Sequence, residues 1–523
     1  MPDMKRIDAP TLRGWIGDGA ELAILDAREE GEFGASHLFW AVPCPFSRRE
    51  LRARALLPCR ATRVVCVDDG RGVAERLAAY LESIGCTDVA VLDGGTRAWA
   101  AAGYVLFSGV NVPSKAFGEW VEHHYGTESV DAPVLKQWLD DGRDMVVLDS
   151  RTLEEFRRMS IPRGMSVPGG ELAYRIADLV PNPETLIVVN CAGRTRSIMG
   201  AESLRQAGVP NRVVALRNGT MGWELAGLEC DRGRDARFQT GRPQSAELAM
   251  SRATAFAGRT GVRVIPVAEL ERFAADGSRT LYVLDVRDPV EFARAARPGS
   301  LSAPGGQLVQ ATDGWIGVRG ARIVLMDDDG VRARMSAAWL RLMGHRDVFV
   351  AEGALAGAPP PTAASVPELE APVDLIGADQ LAAVPDAVVV DLARSVEYRD
   401  GHIRGALWGI RSRLDGLKPR LAGARMVVAT SPDGVLARLA VPELRMLTAA
   451  PVRALAGGTA AWKQSGGALE KDRANPPDEA CLDFYLRPYD RNSGIEEAMK
   501  AYLSWEIDLV HEIERDGTVR FGV

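Results

Sequence analysis

Cysteine is scarce in this chain and unpaired by pattern. Seven cysteines in 523 residues, at positions 44, 59, 66, 86, 191, 230 and 481, are odd in number and form no C-x-x-C spacing. That argues against a disulfide framework and against a structural zinc site. Long hydrophobic runs are missing too: nowhere do roughly eighteen apolar residues follow one another, so no segment is expected to cross a bilayer. The opening Met1-Pro2-Asp3-Met4-Lys5-Arg6 lacks the apolar stretch of a secretory signal, and the expected location is cytoplasmic with no membrane partner. Nor is there a basic excess. With 63 Lys and Arg against 70 Asp and Glu the net charge is −7, which disfavours nucleic acid as a partner. The local cluster Arg48, Arg49, Arg52 and Arg54 reads as a solvated face.

What the chain does have is an internal period. Hydrophobic residues at 46% and charged residues at 25% are ordinary for globular cores. The length exceeds what one core sustains. Four times a hydrophobic run ends in Asp, and about forty residues later a second run ends in a short polar loop that opens a helix. Asp26 to Asp68, Asp149 to Cys191 and Asp285 to Asp327 each span 42 positions, and Asp391 to Ser431 spans 40. Gly85, Gly208 and Gly344 follow 17 positions after Asp68, Cys191 and Asp327, where a helix C-terminus calls for a left-handed residue. The fourth repeat lacks this glycine. In repeat two the pattern predicts strands over 145–148, 186–190 and 212–216, a helical turn over 152–158 and a helix over 197–207. The alternation reads as α/β: parallel sheets covered by helices on both faces. Loops then lie at strand C-termini, the ligand-binding edge of such sheets.

Boundaries fall where the rhythm fails: repeat one at 1–110, repeat two at 128–235, repeat three at 260–357, repeat four at 372–468, and a C-terminal docking extension at 469–523. The stretch Ala356 to Ser365, rich in Pro and Ala, reads as an extended linker. The segment Phe107 to Asp131, carrying Trp120, His123, His124 and Tyr125, is too aromatic for a loose tether and is expected to pack on a neighbouring repeat. In the extension, Phe484, Tyr485, Tyr489, Tyr502, Trp505 and Phe521 look like docking anchors.

Only one of the four loops holds a cysteine. Cys191 is followed by Ala192, Gly193, Arg194, Thr195, Arg196 and Ser197, which places a thiol at a strand-to-helix turn between two guanidiniums. A thiol becomes nucleophilic on losing its proton, and helix N-termini and nearby cations favour that loss. Gly193 permits the bend and Ser197 is placed to cap the helix. Arg194 and Arg196 suit an anionic ligand. Cys66, inside Val64-Val65-Cys66-Val67, is a small buried hydrophobe by contrast.

These residues resemble the rhodanese-like sulfurtransferases, whose repeats carry an L-D-x-R element, an E-F pair, a G-H-I-x-G-A element, the active-site loop and a final G-G-x-x-x-W. Repeat one has Leu25-Asp26-Ala27-Arg28, Glu32-Phe33, Ser36-His37-Leu38 and Gly94-Gly95 with Trp99. Repeat two has Leu148-Asp149-Ser150-Arg151, Glu155-Phe156, Ser160-Ile161-Pro162 and Asn218-Gly219 with Trp223. Repeat three has Leu284-Asp285-Val286-Arg287, Glu291-Phe292 and Glu352-Gly353. Repeat four has Asp391, Glu397-Tyr398, Gly401-His402-Ile403-Arg404-Gly405-Ala406 and Gly457-Gly458 with Trp462.

The resemblance implies four tandem rhodanese-like domains and a sulfur transfer through a Cys191 persulfide, with the loop Ala192 to Ser197 binding substrate. An anionic, thiosulfate-like donor supplies the sulfur, and cyanide, a thiol or a protein cysteine accepts it. No cofactor or metal is implied. At the nucleophile position the other loops read Asp68, Asp327 and Ser431, so repeats one, three and four are expected to be inactive, with repeat one walling the Cys191 cleft. Asp149 with Arg151 recurs as Asp26 with Arg28 and Asp285 with Arg287, and reads as structural.

Other readings remain open. Phosphatase or arsenate chemistry uses Cys, five residues, Arg, whereas here Arg196 arrives one position early. The protein is alternatively a multi-repeat scaffold or a sulfur carrier with little small-molecule turnover. His123-His124 do not share a helix face, which disfavours a metal, and Asp327-Asp328-Asp329 reads as a solvated turn. The loop matches neither the family's usual thiosulfate pattern nor its mercaptopyruvate pattern.

Overall fold

The computed structural model describes residues 4–362, 372–384 and 386–522. The last three residues of the expected linker, Ala363, Ala364 and Ser365, lie outside that range. Its earlier part lies against repeat three, where Pro359 O accepts from Ala296 N.

Four five-stranded parallel sheets recur in one order: first strand at an edge, then fifth, fourth, second and third. In repeat two these are Ser129–Val130, Val213–Leu216, Leu186–Asn190, Met145–Asp149 and Met165–Ser166. Val, Leu and Ile crowd the central strands because both faces are covered by helices; every residue of Leu186–Asn190 is buried. The fourth sheet has the same order, built on Leu375–Ile376, Val388–Asp391, Leu407–Trp408, Val427–Thr430 and Val452–Leu455, and adds an antiparallel pair, His402–Ile403 with Leu469–Glu470. Gly85, Gly208 and Gly344 adopt positive φ of 97°, 70° and 99°, as helix ends closed by left-handed residues require.

The repeats pack in pairs. Repeats two and three meet through the helices Gly169–Leu179 and Gly305–Gln310, whose glycines allow backbone to touch backbone: a Cβ on Gly306 would lie 3.0 Å from Gly169 Cα. Trp339 Nε1 donates to Ser203 Oγ across the same seam at 2.8 Å. Repeats one and four are joined by charge. Arg411 donates to Glu50 at 2.6 Å and to Glu443 at 2.7 Å, and Ser412 Oγ donates to Glu29 at 2.6 Å. The basic cluster of repeat one therefore does not form a solvated face. Arg49 pairs with Glu443 at 3.0 Å and stacks on Phe46, while Arg52 donates to Gly314 O. Long side chains with buried stems and paired heads make seams as readily as surfaces.

The segment after repeat one forms the helix Val112–Tyr125. Its Phe117 meets Trp339 and Phe521, and its Trp120 stacks on His124. The C-terminal segment runs across three repeats. Leu482 O accepts from Gly31 N, Asp483 accepts from Ser395 N, and Tyr489 OH lies 3.4 Å from Thr220 Oγ1. It ends in the helix Ile495–Asp516. Leu509 and Ile513 of this helix join Phe39, Phe107, Val112 and Ala116 in one apolar cluster. Among the described residues, no helix is long and apolar enough to cross a membrane.

Candidate active site

Cys191 sits at the C-terminal end of Leu186–Asn190, the central strand of its sheet. Two backbone bonds from the next crossover fix the loop: Thr220 N donates to Cys191 O at 2.9 Å and Met221 N to Ala192 O at 3.0 Å. They require Gly219, because a Cβ there would run into the Cys191 carbonyl; Gly95 and Gly458 stand in the same relation to Asp68 and Ser431. The G-G-x-x-x-W element is thus a docking surface for the loop backbone. Its tryptophan closes the turn that follows. Trp99, Trp223 and Trp462 each donate from Nε1 to the carbonyl six residues on, Val105, Glu229 and Ala468.

Held this way, the loop opens its helix early. The helix runs Thr195–Gln206 with Arg194 at the N-cap, so Ser197 does not cap it. Its hydroxyl donates instead to Arg194 O at 2.8 Å and lies 3.4 Å from Cys191 Sγ; the sulfur is 3.8 Å from Arg194 O. The serine's preference for a cap position yields to a backbone already fixed by residues 220 and 221. Cys191 is 2% exposed.

The two guanidiniums are already engaged. Arg194 donates to Glu119 from Nε at 2.8 Å and from a terminal nitrogen at 2.7 Å, and also to Glu122. Arg196 grips Glu155 with two bonds of 2.8 and 2.7 Å. Burial opposes the charge of Arg196, but Glu155 outweighs it and raises its pKa, with the Cys191 sulfur adding to the rise. Glu155 is likewise opposed by burial and held ionised, well below the usual range, by Arg196. Glu155 also completes a capping box with Thr152. Counting Lys115 and Glu506, the surroundings of the thiol hold three cations and four carboxylates. The positive character at the sulfur must come from oriented backbone N–H groups at the helix start rather than from spare cations.

Repeat one does not wall this site. Its cover comes from the helix Val112–Tyr125 and from the C-terminal helix. Lys115 Nζ donates to Glu506 Oε1 at 2.7 Å and to Tyr502 OH, and Thr195 Oγ1 donates to Glu506 Oε1 at 3.2 Å. Burial lowers and Glu506 raises the Lys115 pKa, and the rise prevails. Gly193 matters for closeness, since a Cβ on it would lie 3.0 Å from Glu506 Oε2 and 3.3 Å from Tyr502. Lys115, Glu119, Glu122, Tyr502 and Glu506 were not apparent as site residues. The first three share a helix face at i, i+4 and i+7 spacing, a pattern any solvated helix also shows.

The silent loops have the same frame with a different occupant. Asp68 accepts from Gly70 N at 2.7 Å, Val73 N at 2.8 Å and Ala74 N at 3.2 Å. Asp327 accepts from Arg332 N at 2.9 Å and Ala333 N at 3.3 Å, and Ser431 Oγ from Ala437 N at 3.2 Å. Asp327 is therefore buried rather than solvated; Asp328 pairs with Arg287 and Asp329 accepts from Tyr174 OH. The Asp–Arg pair is the same wherever it occurs. Arg28, Arg151 and Arg287 each hold the Asp two residues back with a bidentate grip and donate to a carbonyl eight residues on.

A parallel sheet repeated in one order, with a strand-to-helix loop for an anion or thiol at each central strand, defines a class of tandem α/β domains. The Rhodanese-like domain family matches residues 8–102, 131–226 and 267–357, and the chain belongs to that family. The fourth sheet lies outside the matched residues although its strand order is identical. The chain is 44% identical to a structure described as thiosulfate sulfurtransferase from Pseudomonas aeruginosa, covering 99% of this chain and 100% of that one with a TM-score of 0.94. A sulfurtransferase of Allochromatium vinosum is 29% identical over 99 residues, 19% of this chain and 90% of its own length. A putative sulfur carrier protein of Bacillus subtilis is 29% identical over 94 residues, 18% of this chain and 49% of its own.

Proposed function

We infer that this chain is a sulfurtransferase that carries sulfane sulfur on Cys191. One observation carries the reading: of four equivalent loops, this one alone places a thiol where its siblings seat an anionic or hydroxyl oxygen on backbone N–H groups. In register, the N–H groups that hold Asp68 and Asp327 correspond to those of Arg196 and Ser197. A thiolate, or the terminal sulfur of a persulfide, is an anion suited to such a seat.

The chemistry proceeds in two halves. The Cys191 thiolate attacks the outer sulfur of an anionic donor such as thiosulfate; the new S–S bond forms as the old one breaks, and sulfite leaves with the bonding pair. A cyanide ion, a thiolate or a protein cysteine then attacks the terminal sulfur, taking it and returning the Cys191 thiolate. Ala192 and Gly193 shape the loop, Ser197 can turn its hydroxyl from Arg194 O to the sulfur, and Thr195 offers a hydroxyl beside it. Arg194 and Arg196 contribute chiefly by holding the loop through their carboxylate partners. Repeats one, three and four, with Asp68, Asp327 and Ser431, load no sulfur.

Mass spectrometry of the protein incubated with thiosulfate tests this. A single-sulfur adduct on Cys191 that cyanide removes is the expected result, and an adduct elsewhere, or none, refutes the assignment. A carrier role is favoured by one feature, the near-complete cover over the thiol. If loaded sulfur passes to a protein cysteine yet resists cyanide and small thiols, the carrier reading replaces the enzymatic one.

A further inference from the structure

At 2% exposure Cys191 cannot meet a donor in this arrangement, so something must move. The moving part is marked by its contacts. Three side chains of the helix Ile495–Asp516 cover the loop. Tyr502 and Glu506 lie over Gly193, and Leu503 packs with Met221 and Met499 in a small apolar cluster. The far half of the helix is anchored by Leu509 and Ile513 in a larger one. At the near end Gly494, φ 63°, precedes the helix, a residue that tolerates a change of backbone direction. On its outer side Tyr502 lines a cavity of about 500 Å³ shared with Gly34, Gly109, Tyr485 and Trp505, so the near half has room to roll away from the loop.

Glu506 is an unusual contact for such a cover. It is 1% exposed, and while Oε1 receives Lys115, Thr195 and Tyr502, Oε2 has no hydrogen-bond partner among the described residues. A buried carboxylate oxygen without a donor is costly. Meanwhile the loop-side donors, the Lys115 ammonium and the Thr195 hydroxyl, do not belong to the lid. They remain when the helix lifts and form a seat for an oxyanion next to the sulfur.

We propose that the C-terminal helix is an anionic lid on the Cys191 loop, and that Glu506 occupies the seat on Lys115 and Thr195 that a sulfur donor's oxyanion takes when the lid opens. This deepens the sulfur-transfer reading and rests on it. Donor binding and lid closure then compete for one site, and weakening the closed state raises apparent donor affinity in proportion to the open population.

Two measurements on the full chain separate the lid from the chemistry. In Glu506→Gln the anionic competitor is gone, and iodoacetamide should alkylate Cys191 about tenfold faster while the KM for thiosulfate falls several-fold and kcat changes less than about twofold. Lys115→Met should also speed alkylation but raise the thiosulfate KM by about tenfold, because the seat itself is lost. A Glu506→Gln protein that melts earlier yet keeps wild-type alkylation rate and KM makes Glu506 a structural residue and overturns the proposal. Should that variant not fold, Leu503→Ala thins the contact with Met221 without touching a charge; faster alkylation supports the lid and an unchanged rate overturns it. Alkylation reports the lid even if no sulfur ever loads on Cys191, so the failure of one reading is distinguishable from the failure of the other.

Discussion

Repeats one and two present the same loop with opposite consequences. In repeat one the Asp68 carboxylate fills its own backbone seat with three N–H donors, so the loop is complete without a ligand. In repeat two the corresponding side chain ends in a sulfur with no oxygen to spare, and it is covered by a helix from the far end of the chain. The lesson is that a silent repeat is a site with its anion built in. Asp68 shows what the frame is for, and Cys191 replaces a permanent occupant with one that can gain and lose sulfur.

The sharpest way to break this comparison is to convert one loop into the other. Cys191→Asp should abolish thiosulfate:cyanide transfer, by more than about 10³-fold, as removal of a covalent nucleophile does, while melting near the wild type because the carboxylate finds the seat Asp68 uses. Turnover within tenfold of wild type would move the chemistry to another residue. Next in size is the ion pair behind the loop. Glu155 is the one carboxylate gripping Arg196, whereas Arg332, its counterpart in repeat three, is shared by Glu291 and Glu171. Removing one partner of a buried pair strands the other. Glu155→Ala should therefore cost about 3 kcal/mol in chemical denaturation and Glu291→Ala about half that, since Arg332 keeps Glu171. Equal losses would mean that the pairs act only as helix caps.

Much of this frame was legible in the sequence because it repeats. Period, Asp–Arg pair, closing tryptophan and strand-ending loop each recur, and local backbone chemistry fixes them: Asp149 holds Arg151 just as Asp26 holds Arg28. The environment of the thiol was not legible, because it is made by topology. Glu119 reaches Arg194 from 75 residues earlier, and Glu506 reaches Thr195 from 311 residues later. No spacing rule links such positions. The flanking arginines were visible, but their carboxylate partners were not, so the sequence alone suggested spare positive charge where the structure has paired charge. The helix start was misplaced for a related reason, since bonds from Thr220 and Met221 set the loop before Ser197 could cap it.

A smaller effect contrasts repeat four with its siblings. Asp391 lacks the arginine two residues on, where Ala393 stands, and burial raises its carboxyl to about 6. A folded pKa above the unfolded value near 3.8 means that the folded chain binds the extra proton. Stability contributed by this group is thus present at low pH and is lost as pH rises from about 4 to about 6, a penalty of about 2 kcal/mol at neutrality. Asp391→Asn should recover most of that at pH 7 and flatten the slope across this window. Denaturant titrations at pH 4.5 and pH 7 decide it, and an unchanged slope would show that the carboxyl ionises freely in the folded repeat.

The smallest expected change tests one hydroxyl. Six positions after the nucleophile position, the silent loops carry Ala74, Ala333 and Ala437, and the cysteine loop carries Ser197. The three alanines show that the fold does not need a hydroxyl there, and Ser197 already gives its proton to Arg194 O, 3.4 Å from the sulfur. As sulfur charge develops, that hydroxyl can reorient and donate to it, an interaction stronger in the charged state than in the resting thiol. Ser197→Ala should therefore lower kcat/KM by about tenfold, about 1.4 kcal/mol of transition-state stabilisation, with less than about 1 kcal/mol change in folding stability. The loss should appear as slower alkylation and sulfur loading at pH 7 that recovers at higher pH, where the thiolate forms without help. A drop that persists at every pH would instead mean that Ser197 shapes the loop, and the contrast with the three alanines would then be one of packing rather than of charge.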